Sequence, residues 1–368
     1  MTVENVVLGM RKEELDTPAL CVDRTLMEEN IRTMDAYVRQ FGVRLRPHTK
    51  THKCPIMARR QIEAGAIGVC CAKLGEAEVM AEGGVTGILI PNQIVGARKI
   101  ARLVQLAAWA DVMVAVDDPV NMADLDGAAQ NKGIRLKTII EVDVGMDRCG
   151  VRTVEQGIAL ARQIAGSRGL TFEGIMGYEG HCVMAEPFAE REAKTRVAMQ
   201  TLLSVKRGIE NAGLPVPIVS AGGTGTYQVT PTIPGITEIQ AGSYITMDAK
   251  YYNVGVTQFN RALTVLSTVV SVPRPDLALC DIGTKSVIRD AFFGLPEVAQ
   301  PEGWKLVALS EEHGRLERQG GPLLRPGDKV ELYPSHGCTT INQHDEFFVI
   351  HRGVLEAVWP ISGRGKFR

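Results

Sequence analysis

Eight short apolar runs, each followed by a stretch with helical character, constrain this chain more than any other feature. The runs are VRLRPH (43–48), IGVCCA (67–72), GILIPN (87–92), VMVAVD (112–117), KTIIEVDV (137–144), FEGIMGYE (172–179), PIVSAGG (217–223) and TEIQAGSY (237–244). Between them lie helix-like stretches such as TVEQGIALARQIAGS and AEREAKTRVAMQTLLSVKRGIENAG. A continuously apolar strand needs cover on both faces, which a parallel sheet flanked by helices provides. Eight such units favour an α/β fold, a closed (β/α)8 TIM-like barrel, over an open sheet. After about residue 250 the rhythm changes. ALTVLSTVVSVP, DLALCDIG, WKLVALS, DKVELYPS, EFFVIHRG and VLEAVWPI are short, β-rich and separated by turn residues. The predicted organisation is a barrel over 24–250 and a mostly-β domain over 251–368, which the N-terminal segment 1–23 joins through TPALCVD.

Composition narrows the function classes. The chain has 368 residues, 45% hydrophobic and 23% charged, with a formal net charge of −1. That balance offers no electrostatic footprint for nucleic acid or a membrane surface. No uninterrupted apolar run approaches the roughly 18 residues of a membrane span. MTVENVVLGMRKEELDTP has early acids and does not read as a secretory signal, so a cytoplasmic protein is expected. Eight scattered cysteines then read as reduced thiols.

In a (β/α)8 barrel the reactive groups sit at the C-terminal ends of the strands. Here those ends are polar and glycine-rich: His48-Thr49-Lys50-Thr51-His52-Lys53, Met146-Asp147-Arg148, Tyr178-Glu179-Gly180-His181, Gly222-Gly223-Thr224-Gly225-Thr226 and Gln240-Ala241-Gly242-Ser243-Tyr244. The glycines let backbone approach an anion, and a following helix N-terminus offers unpaired N–H groups. Gly242 and Ser243 add donors from the next strand end. The alternative is a tight strand-to-helix turn with no ligand. A lysine at the end of the first barrel strand favours the ligand, because a phosphate cradle plus an inward lysine is what a pyridoxal phosphate Schiff base requires.

DTPALCVD, RPHTKTHKCP, EVDVGMDRCGV, GGTGT, EIQAGSYITMD and SHGCTTINQHD together resemble the D-threonine aldolase family, in order and spacing, from about Asp16 to the C-terminus. The resemblance implies a fold-type III pyridoxal phosphate enzyme with an alanine-racemase-like barrel and a C-terminal β domain. It makes Lys50 the Schiff-base lysine in preference to Lys53. It makes Gly222, Gly223 and Thr224 the phosphate grip, and sets Arg148 near the cofactor's phenolic oxygen. Gln240 falls where alanine racemases carry an arginine against the pyridine nitrogen. Tyr178, Gly242, Ser243 and Tyr244 complete the implied cofactor mouth.

His336 and Cys338 are a second candidate site. On an extended segment, side chains two residues apart point the same way, which suits a divalent metal. A buried structural pair is the alternative. The resemblance matches the two to the family's metal position, where well-studied aldolases carry His-x-Asp and related D-serine and 3-hydroxy-D-aspartate dehydratases carry His-x-Cys. Among Mn2+, Mg2+, Zn2+ and Co2+, a thiolate raises the softer Zn2+ and Co2+. His181 is the candidate base for a substrate hydroxyl. His48 reads as structural, His52 as structural or cofactor-positioning, and His313 as a support for the metal. His344 and His351 read as structural or exposed, and Asp248 and Asp345 as capping or ion-pair residues.

The resulting expectation is a metal-assisted lyase that cleaves β-hydroxy-D-amino acids to glycine and an aldehyde. Its rival is dehydration to a keto acid and ammonia. A non-catalytic pyridoxal phosphate carrier is disfavoured by residues 255–368, since such carriers lack a second domain. The resemblance also implies a homodimer, with His336 and Cys338 supplied in trans to Lys50.

Overall fold

All eight apolar runs are strands. The computed structural model describes residues 7–289 and 292–368. After β1 (Ala19–Asp23) and the helix Arg24–Arg39 come β2 (Arg44–Leu45), β3 (Val69–Cys70), β4 (Ile88–Gln93), β5 (Val112–Val116), β6 (Leu136–Glu141), β7 (Leu170–Gly177), β8 (Ile218–Ala221) and β9 (Glu238–Ile239). Strands β2 to β9 pair in parallel in the order β2-β9-β8-β7-β6-β5-β4-β3. The two ends of that order meet at a parallel bridge between His48 and Cys70. There Cys70 N–H donates to the Pro47 carbonyl and Thr49 N–H to the Cys70 carbonyl, each at 2.8 Å. The bridge leaves neither end strand as an open sheet edge. Cys70, Leu89, Met113, Ala115, Ile139 and Met176 pack as one core cluster. Met113 and Ala115 are two apart on β5 and therefore share its inner face.

The first barrel strand is shorter than its apolar run because Pro47 has no N–H to give to the ladder. Pairing resumes beyond it, where His48 N–H donates to Ala241. Helix starts follow local sequence. Thr153 and Gln156 form a capping box before Val154–Gly166, and Asp118 accepts from Val120 and Asn121 N–H ahead of Pro119.

The chain divides into two compact units. One holds Met34–Lys50, Pro55–Gly242 and Gly365–Arg368; the other holds residues up to Thr33, Thr51–Cys54 and Ser243–Arg364. The second unit is mostly β, with β10 (Leu263–Arg274), β11 (Leu277–Cys280), β12 (Glu297–Gln300), β13 (Trp304–Leu309), β14 (Gly314–Arg318), β15 (Lys329–Tyr333), β16 (Glu346–His351) and β17 (Val354–Pro360). Its long strand β10 pairs antiparallel with β1, β11 and β15, and β1 pairs in parallel with β16. Leu15, Ala19, Cys21, Leu266, Ile350 and Leu355 form its core cluster, to which the TPALCVD segment contributes Ala19 and Cys21. None of the eight cysteines is in a disulfide. Among the described residues no helix is long and apolar enough to cross a membrane.

One ion pair inside the barrel unit is nearly dry. Arg46, just past the end of β2, donates from Nε and Nη2 to Glu238 of β9 at 2.9 and 2.6 Å, and from Nη1 to the Gly87 carbonyl at 2.5 Å. The two side chains are 9% and 5% exposed. Burial alone would lower the Arg46 pKa, but the carboxylate raises it. Removing one partner of such a pair strands the other charge, at a cost of about 3–5 kcal/mol. Glu238→Ala is therefore expected to destabilise the protein by about 3 kcal/mol in urea unfolding. A loss within 0.5 kcal/mol of zero, roughly that of a surface substitution, would show that solvent reaches the guanidinium.

Candidate active site

The basic turn after β2 is shaped by its own histidines. In the barrel unit the Lys50 N–H donates to His48 Nδ1 at 3.3 Å, so His48 braces the backbone that carries the lysine. In the β unit the Cys54 N–H donates to His52 Nδ1 at 3.1 Å, and His52 is fully buried. Lys53 takes a left-handed conformation, φ 52°, and its carbonyl accepts from Gly363 N–H. Lys50 Nζ has no ion-pair partner among the described residues and lies 5.4 Å from the centre of the Tyr178 ring. The Arg148 guanidinium lies 5.8 Å from the same ring. Both fall within the reach of a cation–π contact. Two cations around one ring repel each other, which favours an anionic ligand between them.

Arg148 is tethered to the end of the strand that precedes it, β6. Its Nη2 lies 3.5 Å from Glu141 Oε1 at the end of β6, and Gln93 Nε2 donates to the other carboxylate oxygen at 2.6 Å. Glu141 is 3% exposed. Burial raises its pKa, while Gln93 and Arg148 oppose the rise. Asp117 and Cys149 lie beside it, with ligand-type atoms of the three within 4.8 Å of one another. Hydrogen bonds already serve both carboxylates, since Gly150 N–H donates to Asp117 at 2.8 Å.

A third carboxylate organises the glycine loop. Glu179, fully buried, accepts from Gly222 N–H at 3.1 Å and from the hydroxyls of Thr226 and Thr230 at 2.7 and 2.6 Å. Gly223 N–H donates to Thr226 Oγ1 at 3.1 Å. The first two glycine N–H groups are thus spent within the loop. Two buried N–H groups, those of Gly225 and Gly242, donate to no protein acceptor among the described residues. Buried backbone donors are rarely left orphaned, so these suit an anionic ligand such as a phosphate. The loop needs glycine at Gly222, where φ is 83°, and at Gly225, where a Cβ would come within 2.2 Å of the Val183 carbonyl. Thr224 is 2% exposed. Gln240 donates from Nε2 to Ser220 Oγ at 2.9 Å, which leaves Oε1 to meet a ligand N–H. Lysine, orphaned donors and flanking cation together fit pyridoxal phosphate: Lys50 for the aldehyde, the loop for the phosphate, and Arg148 for the phenolic oxygen.

His181 lies elsewhere. It is exposed, faces Gly145, and lines a groove of about 750 Å3 with Asp143, Arg152 and Lys194. Lys50 and Arg148 both approach the Tyr178 ring, and among the described ring contacts His181 is not at it.

The β unit holds the second site. His336 ends an extended stretch, and Gly337–Ile341 begins a short helix that carries Cys338. Cys338 Sγ lies 3.3 Å from Thr51 Oγ1 and 3.7 Å from Ser243 Oγ. The His336 Nδ1 edge meets Asp248 Oδ2 at 2.9 Å, and Phe293 stacks on the ring at 4.0 Å. Burial would lower the His336 pKa, but Cys338 and Asp248 raise it to about 10. Imidazole, thiol and surrounding hydroxyls fit a soft divalent cation. Tyr244 is fully buried with its ring 5.6 Å from Phe259. His313 is exposed in the turn joining β13 and β14, bonded to Ser310. His344 bonds the Ser286 carbonyl and His351 the Thr25 hydroxyl.

Sequence reading passed over Glu141, the carboxylate role of Glu179, and Thr51 beside Cys338. Glu179 stood in the Tyr178–His181 strand end, but its donors come from 43 to 51 residues later. Glu179→Ala would leave three donors unpaired, each worth about 1–3 kcal/mol. The variant is expected to lose at least about 2 kcal/mol of stability and to release pyridoxal phosphate more readily in fluorescence titration of the dialysed protein. Undiminished retention would separate the loop from the cofactor.

Known proteins share the two-part architecture. The alanine racemase N-terminal domain family matches residues 22–250, and the putative serine dehydratase domain family matches residues 262–350. A 3-hydroxy-D-aspartate aldolase of Paracoccus denitrificans (strain Pd 1222) is 38% identical, over 97% of this chain and 94% of its own. The crystal structure of D-threonine aldolase from Filomicrobium marinum superposes with a TM-score of 0.94 at 35% identity, covering 98% of this chain and 99% of that one. A D-threo-3-hydroxyaspartate dehydratase of Delftia sp. (strain HT23) is more distant, 30% identical over 89% of this chain and 92% of its own. With whole-length similarity on an alanine-racemase-type barrel and a C-terminal β domain, the chain belongs to the D-threonine aldolase family of fold-type III pyridoxal phosphate enzymes.

Proposed function

We propose that this protein is a pyridoxal-phosphate-dependent lyase that cleaves β-hydroxy-D-amino acids between Cα and Cβ, giving glycine and an aldehyde. The observation that carries the reading is the whole-chain similarity to aldolases, 38% and 35% identical, against 30% for the dehydratase. In the net reaction the β-hydroxyl loses its proton, the Cα–Cβ bond breaks, and Cα gains a proton. Bound pyridoxal phosphate supplies the sink for the electron pair released at Cα. Lys50 offers the amine for the cofactor aldehyde. Arg148, held by Glu141, supplies positive charge beside Tyr178, and Gln240 Oε1 accepts a ligand N–H. Glu179 keeps the glycine loop in one conformation, so no binding energy is lost in ordering it.

A divalent metal held by His336 and Cys338 is part of the proposal; as a Lewis acid it would lower the pKa of the substrate hydroxyl. The thiol favours Zn2+ or Co2+ over Mn2+ or Mg2+. A homodimer is what the family resemblance implies, and light scattering checks it. The second reading, dehydration to a keto acid and ammonia, is favoured by Cys338, since the resemblance puts His-x-Cys with the dehydratases.

Incubation with D-threonine, followed by assay of both acetaldehyde and 2-oxobutyrate, separates the readings. Glycine and acetaldehyde in equal amounts are expected; 2-oxobutyrate without acetaldehyde would overturn the aldolase. A panel including 3-hydroxy-D-aspartate then ranks the side chains. Lys50→Ala is expected to abolish both turnover and the visible absorbance of the lysine-linked cofactor. Chelation, or His336→Ala, is expected to lower turnover at least about tenfold, given the several kcal/mol that a Lewis acid contributes. Undiminished turnover in both would remove the metal from the mechanism.

A further inference from the structure

Metal affinity at a histidine depends on which ring nitrogen is bare and where the ring plane points, and neither is set by the histidine itself. In the β unit both are set by neighbours. Asp248 is fully buried in its side chain. Its Oδ2 lies 2.9 Å from His336 Nδ1 and accepts from Gly337 N–H at 3.1 Å, while Oδ1 accepts from Tyr251 N–H at 2.9 Å. An ionised carboxylate only accepts, so it keeps the proton on Nδ1 and leaves Nε2 as the nitrogen able to ligate. Phe293 restricts the remaining freedom by stacking on the imidazole, centroids 4.0 Å apart and planes inclined by 6°. The carboxylate fixes the edge and the phenyl ring fixes the plane. The second hydrogen bond, to Gly337 N–H, ties the same oxygen to the backbone joining His336 to Cys338.

We infer that Asp248 is a positioning residue for the metal: it fixes the Nδ1–H tautomer of His336 and the backbone of the His336-Gly337-Cys338 segment, so that Nε2 and the thiolate are presented as a preformed pair. This rests on the reading of His336 and Cys338 as the metal ligands. It assigns Asp248 a role beyond capping the helix Ala249–Asn253 or forming a structural ion pair. Carboxylate partners of ligating histidines are worth about 10- to 100-fold in metal affinity.

The test is Asp248→Asn, because asparagine is as good a helix cap as aspartate. With Oδ1 retained on Tyr251 N–H, the amide NH2 would face both Nδ1 and the Gly337 N–H, two donors against donors. Co2+ and Zn2+ affinities are measured by chelator competition on full-length wild type, Asp248→Asn and His336→Asn, with the Co2+–thiolate charge-transfer absorbance as a second readout. Wild type is expected to bind tightly with the thiolate band. Asp248→Asn is expected to bind about 10- to 100-fold more weakly and to keep the band, since Cys338 still ligates. Wild-type affinity in Asp248→Asn would overturn the inference; a wild type that binds no metal would overturn the underlying reading instead. Ring 15N spectra of the Zn2+-loaded wild type, assigned against His336→Asn, give a check that needs no folded Asp248 variant. A protonated Nδ1 with Nε2 on the metal is expected, and Nδ1 on the metal would refute the assignment.

Discussion

The backbone bridge between His48 and Cys70 is the constraint on which the barrel mouth depends. It joins the two ends of an otherwise open eight-strand order, and it does so two residues before Lys50. Pro47 cannot donate to the ladder, so the chain reaches across to Cys70 through its carbonyl instead. His48 then turns its Nδ1 onto the Lys50 N–H. The same few atoms thus close the sheet and fix the backbone of the lysine. Strand-end placement of the reactive group is a consequence of closure.

Buried carboxylates do the corresponding work for side chains. Glu141 meets Gln93 and Arg148, Glu179 takes three donors from the glycine loop and its neighbours, and Asp248 takes three around His336. A charge removed from water is costly unless charge-assisted hydrogen bonds replace its solvation. That cost makes each carboxylate insist on its donors, which holds a cation, a loop or an imidazole in a single arrangement. Each lies within a barrel strand end or a helix cap, so the rigidity of regular structure extends to the reactive groups.

The fold was legible because its signal is local. Apolar runs such as VMVAVD carry strand periodicity and burial in their own letters, and Thr153 with Gln156 announces a helix start. Lys50, Arg148 and the glycine loop were legible through motif resemblance, and Tyr178 as a strand end. The histidines were legible only in part. His48 reads as structural and His52 as structural or cofactor-positioning, but that each accepts from the backbone N–H two residues on is visible only in the fold. His181 reads as a mouth residue, yet its ring faces Gly145 and an exposed groove.

By itself the sequence determined the strand count of the barrel and the helix start at Thr153, and through the family resemblance it singled out Lys50 and the His336–Cys338 pair, because each signal depends on residues near one another in the chain. Tertiary structure alone decided which groups are spent and which remain available. Gly222 and Gly223 N–H are consumed within the loop while Gly225 and Gly242 N–H are left over, and that division depends on Glu179 reaching across from another strand end. Likewise Asp248 selects the His336 nitrogen from 88 residues away. Hydrogen bonds span a few ångströms in space and any distance in sequence, so their partners are fixed only once the chain has folded.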